Sequence, residues 1–354
     1  MAIEIRAARL DERPDICGLI NLAYDAESYG PSLANPVESV GESHMDPHDR
    51  PENTRILLAD GQPVSTLHIW EREAHVCGDT VHFGIVASVA THPDFRRKGY
   101  VRLLMKNAEE YMRAEGWAYG LLFGRFRTYG GSIGWLPVGE KRSQLTWKYV
   151  VSAGDCDSPG VRVRPSAERD IPFLSRVYGS RYSRFFGPVV RSHDYWRRWC
   201  LKRTREGEYL TVLRDERPIG YFRAGAGHDA VDEIAWTPAK PSVGAAVFAA
   251  AVSWAAQKGV SAVSFWIGND EKTGLEALQT AFGSIARVYC RPDGQAADCD
   301  DPTPFRLANR PDGVGIMMVF LNPGPGVLGT ADSTESLAHL MAHHSWIYLD
   351  GDAM

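Results

Sequence analysis

The run Ile85-Val86-Ala87-Ser88-Val89-Ala90-Thr91-His92-Pro93-Asp94-Phe95-Arg96-Arg97-Lys98-Gly99-Tyr100-Val101-Arg102 decides how the chain is read. Its apolar, partly β-branched opening predicts a strand that ends in a turn at Pro93. From about Arg96 a helix is predicted, reaching Glu115. Val101, Leu104, Met105, Ala108 and Met112 fall on one face of it at spacings of three and four, with Arg102, Lys106, Asn107, Glu109, Glu110 and Arg113 mostly on the other. As a purely structural element this helix starts badly. Arg96, Arg97 and Lys98 stand against the positive end of the macrodipole, where each cation costs ~0.3–1 kcal/mol. Gly99 costs about 1 kcal/mol relative to alanine, and Asp94, a candidate cap, does not offset three cations. The same residues suit a bound anion. Free amides at a helix start point at phosphate, glycine lets the backbone approach, and arginines neutralise a diphosphate.

Outward from this run, one plan is written twice. The first copy opens with Ile3-Glu4-Ile5-Arg6 and an acidic turn around Asp11 to Asp15, and the second with Val161-Arg162-Val163-Arg164 and Glu168 to Asp170. Each continues through an apolar helix to a hairpin, a strand, a long helix and a closing strand. The first hairpin turns at Asp60-Gly61-Gln62-Pro63 and the second over Arg214 to Arg217. The expected fold class is α/β (α+β): two tandem folds, each a twisted mixed central β-sheet flanked by helices. Residues 1–150 form the first domain, 151–160 a Gly-, Ser-, Asp- and Pro-containing linker, 161–321 the second domain, and 322–354 a C-terminal helix and tail. The second copy departs from the first between strand and helix. There it reads Thr237-Pro238-Ala239-Lys240-Pro241-Ser242-Val243-Gly244-Ala245, with no arginine and with a proline that removes an amide donor.

Composition narrows the function classes. A net charge of -5 disfavours non-specific nucleic-acid binding and suits a cationic small molecule. The cysteines, Cys17, Cys77, Cys156, Cys200, Cys290 and Cys299, show no metal or redox spacing and read as reduced thiols of a cytoplasmic protein. The most apolar run, Val243 to Ala256, is shorter than the ~20 residues a bilayer requires and reads as a buried helix, so no membrane association is expected. His44 with His48, and His339 with His343 and His344, have metal-like spacing but no third ligand nearby, so no metal is expected. In the aromatic-rich stretch from Tyr178 to Trp199, the apolar side chains are expected in the core and the arginines, including Arg181 and Arg191, on the surface.

The strand, the His-Pro turn and Arg96-Arg97-Lys98-Gly99-Tyr100-Val101 together resemble the acyl-CoA signature of the GCN5-related N-acetyltransferase (GNAT) superfamily. Val101 stands where the general pattern has a small residue. The tandem plan and the R-R-x-G context look like the enhanced-intracellular-survival (Eis-like) branch, here with a shortened C-terminal region. The resemblance implies an acetyl-CoA-dependent N-acetyltransferase. Val89, Ala90 and Thr91 would contact the acetyl and pantetheine part through backbone atoms, and Arg96, Arg97, Lys98, Gly99, Tyr100, Val101 and Arg102 would cradle the phosphates. Tyr129, in the loop Tyr129-Gly130-Gly131-Ser132-Ile133-Gly134-Trp135, would protonate the departing thiolate. The terminal carboxylate of Met354 would serve as base, with Asp350 and Asp352 nearby.

Chemistry sets the remaining demands. A lysine-like amine is about one part in 10³ neutral at pH 7, so a base or water chain is needed, and the strand amide near Val89 suits an oxyanion. Asp25 and Glu27, with Glu38, Glu42 and Asp46, either draw a cationic acceptor or form a solvated loop. The acceptor is expected to be a small-molecule amine, with homo-oligomerisation left open. Acylation of protein lysines or of a thiol precursor, or a silent acyl-CoA-sensing module, are the alternatives.

Overall fold

The computed structural model describes residues 2–24, 46–131, 133–137, 144–150, 160–202, 207–237, 239–268, 272–282, 289–290, 296–297 and 314–343. In chain order the elements are β1 (Ile3–Ala7), α1 (Arg13–Ala23), β2 (Thr54–Ala59), β3 (Gln62–Val76), β4 (Asp79–Thr91), α2 (Tyr100–Ala114), β5 (Tyr119–Arg125), α3 (Phe126–Tyr129) and β6 (Leu136–Pro137). Then come β7 (Gln144–Val150), β8 (Val161–Pro165), α4 (Ile171–Tyr182), β9 (Phe186–Val189), α5 (His193–Tyr195), β10 (Gly207–Arg214), β11 (Arg217–Gly225) and β12 (Ala230–Trp236). The chain continues with α6 (Pro241–Gln257), β13 (Ala262–Gly268), α7 (Lys272–Phe282), β14 (Tyr289–Cys290), β15 (Ala296–Ala297), β16 (Val314–Phe320) and α8 (Thr334–His343).

Two compact units result, the first built from Met1–Glu140 and Arg306–His343, the second from Lys141–Phe305. The first unit's sheet runs β1-β2-β3-β4-β5-β16-β6 and the second's β7-β13-β12-β11-β10-β8. A division drawn at residue 150 assigns Gln144–Val150 to the first domain, yet this strand pairs along its length with β13 of the second sheet. Conversely β16, from beyond the second unit in sequence, pairs antiparallel with β5. Strand partners are chosen by distant residues, which linker composition does not reveal.

The repeat carries through to side chains. Arg6 grips Glu12 through two hydrogen bonds of 2.8 and 2.5 Å, and Glu12 accepts the Arg9 amide. In the second unit Arg164 grips Asp170 at 2.6 and 2.7 Å, and Asp170 accepts the Ala167 amide. Each pair ties the first strand of its unit to the turn that starts the first helix. Glu12 is held down to about 2, foremost by the Arg6 hydrogen bonds, and Asp170 is also lowered, its Arg164 bonds overriding the opposing effect of burial.

In the first unit α2 covers one sheet face with Leu104, Met105, Ala108 and Met112, against Leu67, Ile69, Val86 and Leu122. Glycine lets it sit close. A Cβ on Gly84 would meet Met112 Sδ at 2.5 Å and one on Gly120, its neighbour across β4 and β5, would meet Trp135 at 2.9 Å. On the other face α1 packs Ile16, Ile20 and Ala23 against Ile56, Leu58 and Ala90. In the second unit α6 is buried by Val247, Phe248, Ala250, Ala251 and Val252, as its sequence predicts. No helix among the described residues is long and apolar enough to cross a membrane.

Two expectations about charge are corrected. Arg191 is fully buried, bonding both carboxylate oxygens of Glu233 at 2.8 and 2.7 Å and lying over the rings of Tyr178 and Trp196. Arg181 is buried too, 3.9 Å from the Trp236 ring centroid. A paired carboxylate and aromatic faces offset the desolvation that ordinarily keeps arginine outside. Asp46, expected either to draw an acceptor or to lie in a solvated loop, is instead buried against the equally buried Arg72.

Candidate active site

The site grows from one strand that loses its neighbour. β4 and β5 run parallel and in register from Phe83 opposite Tyr119 to Val86 opposite Leu122. Beyond that point β4 continues to Thr91 and β5 to Arg125 without a further pairing between them among the described residues. Ser88 adopts a left-handed φ of 48°, and the β3–β4 register shifts by a bulge at this level, between Thr66 and His68 on β3. A bulge increases local twist and turns the following segment out of line.

Register then fixes which way the backbone groups face. The His92 amide donates to the Val64 carbonyl at 2.9 Å, and Ser65 stands opposite Thr91. Ser65 and Thr91 are therefore a non-hydrogen-bonded pair, and Val89 and Thr91 present their amides and carbonyls away from β3, to the open side. The carbonyls there are occupied. Tyr24 donates its hydroxyl to Val89 O at 2.8 Å, and Arg96 Nε approaches Thr91 O at 3.4 Å. What the edge offers a ligand is chiefly N–H donors.

At the end of β4 the chain makes a short 3-10 turn over Pro93–Phe95, whose Asp94 amide bonds back to His92 Nδ1 at 3.3 Å. α2 starts at Tyr100, not near Arg96 as the sequence suggests. Left-handed backbone at Arg97 (φ 61°) and Gly99 (φ 79°) breaks helical continuity, which periodicity cannot register. The basic run therefore forms the approach to the helix rather than its first turn. Nor does Asp94 cap α2: Gly99 occupies the cap position, no side chain caps the end and no acid lies in the first turn. The first amides of α2 lack intrahelical partners by construction. Left-handed conformation costs Arg97 ~1–2 kcal/mol, a strain of the kind concentrated at ligand sites.

The cations divide their duties. Arg96 turns back, bonding Ala23 O at 3.0 Å as well as Thr91 O, so it braces the end of α1 against the end of β4. Lys98 lies over the Phe95 ring, its Nζ 4.5 Å from the centroid. Arg97 and Arg102 are exposed, and no ion pair engages either among the described residues. The Tyr100 side chain is buried in the core and Val101 packs against it, so these two positions face the site only through backbone. A Cβ on Gly99 would meet open space, so its glycine is required by φ rather than by crowding.

Tyr129 ends α3, directly beyond β5. Its half-buried ring packs on Gly124, where a Cβ would come within 2.7 Å of it, and on the apolar cluster that Val89 and Val101 also touch. The structure thus assembles Val89 to Thr91, the basic turn and Tyr129 in one unit. Met354, Asp25 and Glu27 lie outside the described residues. Tyr24 and Ser65, whose Oγ bonds Ala90 O at 2.8 Å and Thr91 Oγ1 at 2.7 Å, escaped sequence reading, because nothing in their spacing marks them. His68, fully buried on β3 and bonded to Thr54 Oγ1 at 2.9 Å, is pushed down to about 3 by burial and stays neutral at working pH. Among the described residues no cluster of three or more metal-ligating side chains occurs.

The first unit is thus a mixed sheet whose central parallel strands part beside a basic turn and a helix start. Residues 4–138 match the family model described as Acetyltransferase (GNAT) domain. The match falls within the first unit, which has the fold of a GNAT acetyltransferase domain. Solved structures similar in fold include a GCN5-related N-acetyltransferase from Kribbella flavida, with a TM-score of 0.63 and 18% identity over 91% of this chain and 71% of that one. A GCN5-related N-acetyltransferase from Anabaena variabilis aligns with a TM-score of 0.59 and 12% identity, over 91% and 73%. A protein of unknown function from Enterococcus faecalis described as a probable N-acyltransferase gives 0.56 and 14%, again over 91% and 73%. No curated protein matches the chain in sequence.

Proposed function

We propose that the chain transfers an acetyl group from acetyl-CoA directly to the amine of a small cationic acceptor, in a ternary complex, in the manner of the Eis-like branch. The observation that carries this is the unpaired edge of β4, chiefly N–H donors, opening beside the basic turn. Arg97, Lys98 and Arg102, with the free amides at the start of α2, are suited to hold the phosphates. The amides of Val89 and Thr91 are suited to align the pantetheine arm and to stabilise charge developing on the thioester oxygen. When bound, acetyl-CoA supplies an acyl group activated for attack by the amine. Tyr129 returns a proton to the departing sulfur. A phenol can do so because it remains protonated at neutral pH. The Met354 carboxylate takes the role of base, and Asp25 and Glu27 draw the cationic acceptor.

The second unit, in this proposal, takes up no CoA and shapes the acceptor side. Support comes from its strand-to-helix junction, where Gly244 has Trp236 and Ala277 packed so close that a Cβ would meet both at 2.6 Å. Cys17, Cys77 and Cys200 form no disulfide among the described residues, which fits a reducing, cytoplasmic setting. Calorimetry with CoA, followed by thiol release across a panel of polyamines, aminoglycosides, lysine peptides and thiol precursors, tests the proposal. CoA uptake with turnover on small amines supports it. Turnover confined to peptides or thiol precursors, uptake with no turnover, or no uptake at all refutes it.

A further inference from the structure

A strand edge with no neighbouring strand holds its shape only if something else fixes its peptides. Past Val86 that is the condition of β4, and the Ser88 bulge adds local freedom. From β3, Ser65 Oγ holds Ala90 O, and among the described residues two further side chains, both tied back to α1, fix the open side. The Tyr24 hydroxyl bonds Val89 O, and Tyr24 itself caps the C-terminus of α1, its amide on Ile20 O at 2.9 Å. Arg96, from beyond the strand, bonds Thr91 O and Ala23 O. A closed loop results, from the end of α1 to Val89, along β4 to Arg96, and back to the end of α1.

We propose that Tyr24 is a positioning residue for acetyl transfer, its hydroxyl setting the tilt of the Val89 peptide group and hence the direction of the Val89 and Thr91 amides beside it, with Arg96 as the second strut. This rests on the proposed use of the β4 edge by the thioester. Amide donors stabilise developing charge only when already aimed at it. In this role Tyr24 acts through the Val89 peptide group, and half-buried within the α1 cluster it is held by packing as well as by its hydrogen bond. Removing the hydroxyl should therefore leave the fold and the phosphate grip intact while loosening the donors, so that the loss falls on kcat.

The test is Tyr24→Phe in the full chain, with Tyr111→Phe as control, since Tyr111 donates to Asn53 Oδ1 at 3.0 Å, away from the open edge. For Tyr24→Phe we expect kcat to fall about 5-fold, CoA affinity by calorimetry to stay within about 2-fold, and the amides of the 84–96 segment to exchange with deuterium about 5-fold faster. Tyr111→Phe should keep kcat within about 2-fold. Should Tyr24→Phe not fold, Arg96→Gln removes the other strut and is expected to give the same split between kcat and affinity. Unchanged kcat in the folded variant, tighter CoA binding, or kcat and affinity falling together with the melting temperature overturns the role of Tyr24. No CoA uptake by the unaltered protein overturns instead the functional proposal on which it rests.

Discussion

The two strand-to-helix junctions of the molecule, β4 into α2 and β12 into α6, start from one plan and end in opposite states. Both follow a strand that is parallel-paired with the next only near its beginning, at Phe83 to Val86 in the first unit and at Ala230 and Val231 in the second. In the first, left-handed backbone at Arg97 and Gly99, exposed cations and uncapped amides leave a place for an anion. In the second, Pro241 lies within the first turn of α6 and removes a donor, and the buried Trp236 together with α7 presses against Gly244. The first unit follows its fifth strand with the four-residue α3, whereas the second follows β13 with the eleven-residue α7, which packs along α6. A shared architecture is thus compatible with a binding junction or a filled one. A few side chains at the helix start decide which.

The sharpest test of that contrast is Tyr129→Phe, since α7 offers no tyrosine in the corresponding place. Loss of a positioned acid should lower kcat about 100-fold with CoA affinity within about 2-fold, read by thiol release and calorimetry. An unchanged kcat would remove the chemical asymmetry between the units. Next, Arg97→Glu should weaken CoA about 30-fold, whereas Lys240→Glu at the start of α6 should leave affinity unaltered. Titration should find one CoA per chain, and a second site would break the comparison outright.

Glycine supplies a smaller effect with a useful crossover. Gly99→Ala meets no atoms but must adopt φ 79°, so it should cost about 1–2 kcal/mol of stability, and relaxation of that strain should weaken CoA binding about 5- to 10-fold. Gly244→Ala inserts a Cβ at 2.6 Å from two packed side chains, and should cost about 1–3 kcal/mol of stability with CoA affinity intact. Smallest is the acid sensitivity of the feature the units share. Glu12 and Asp170 have folded-state pKa values below their unfolded ones, so each contribution is present above the unfolded value and is lost as pH falls through the folded one, which for Glu12 is about 2. Glu12→Gln with Asp170→Asn should lower stability by about 1 kcal/mol per site at pH 7, and the gap from the parent protein should narrow between pH 5 and 3 in thermal melts.

Much of the candidate site was legible because it is written locally. The strand, the His-Pro turn, the basic run and the amphipathic helix are contiguous, and their periodicities register within a few residues. The start of α2 was misjudged because left-handed backbone at Arg97 leaves no mark in composition. The surface assignment of Arg191 failed because its partner Glu233 lies 42 residues away in sequence. Asp46 was misread in the same way, through Arg72.

By itself, then, the sequence determined that two copies of one α/β plan exist and that only the first carries a basic run between strand and helix, since both follow from hydrophobic period and from residue types at adjacent positions. Tertiary structure decided that β7 and β16 join the sheets they do, that the strands part beyond Val86, that Arg96 bonds back to Thr91 and Ala23, and that Tyr24 bonds Val89 O. Those outcomes depend on which distant groups meet in space, and burial, pairing and register are settled only by that meeting.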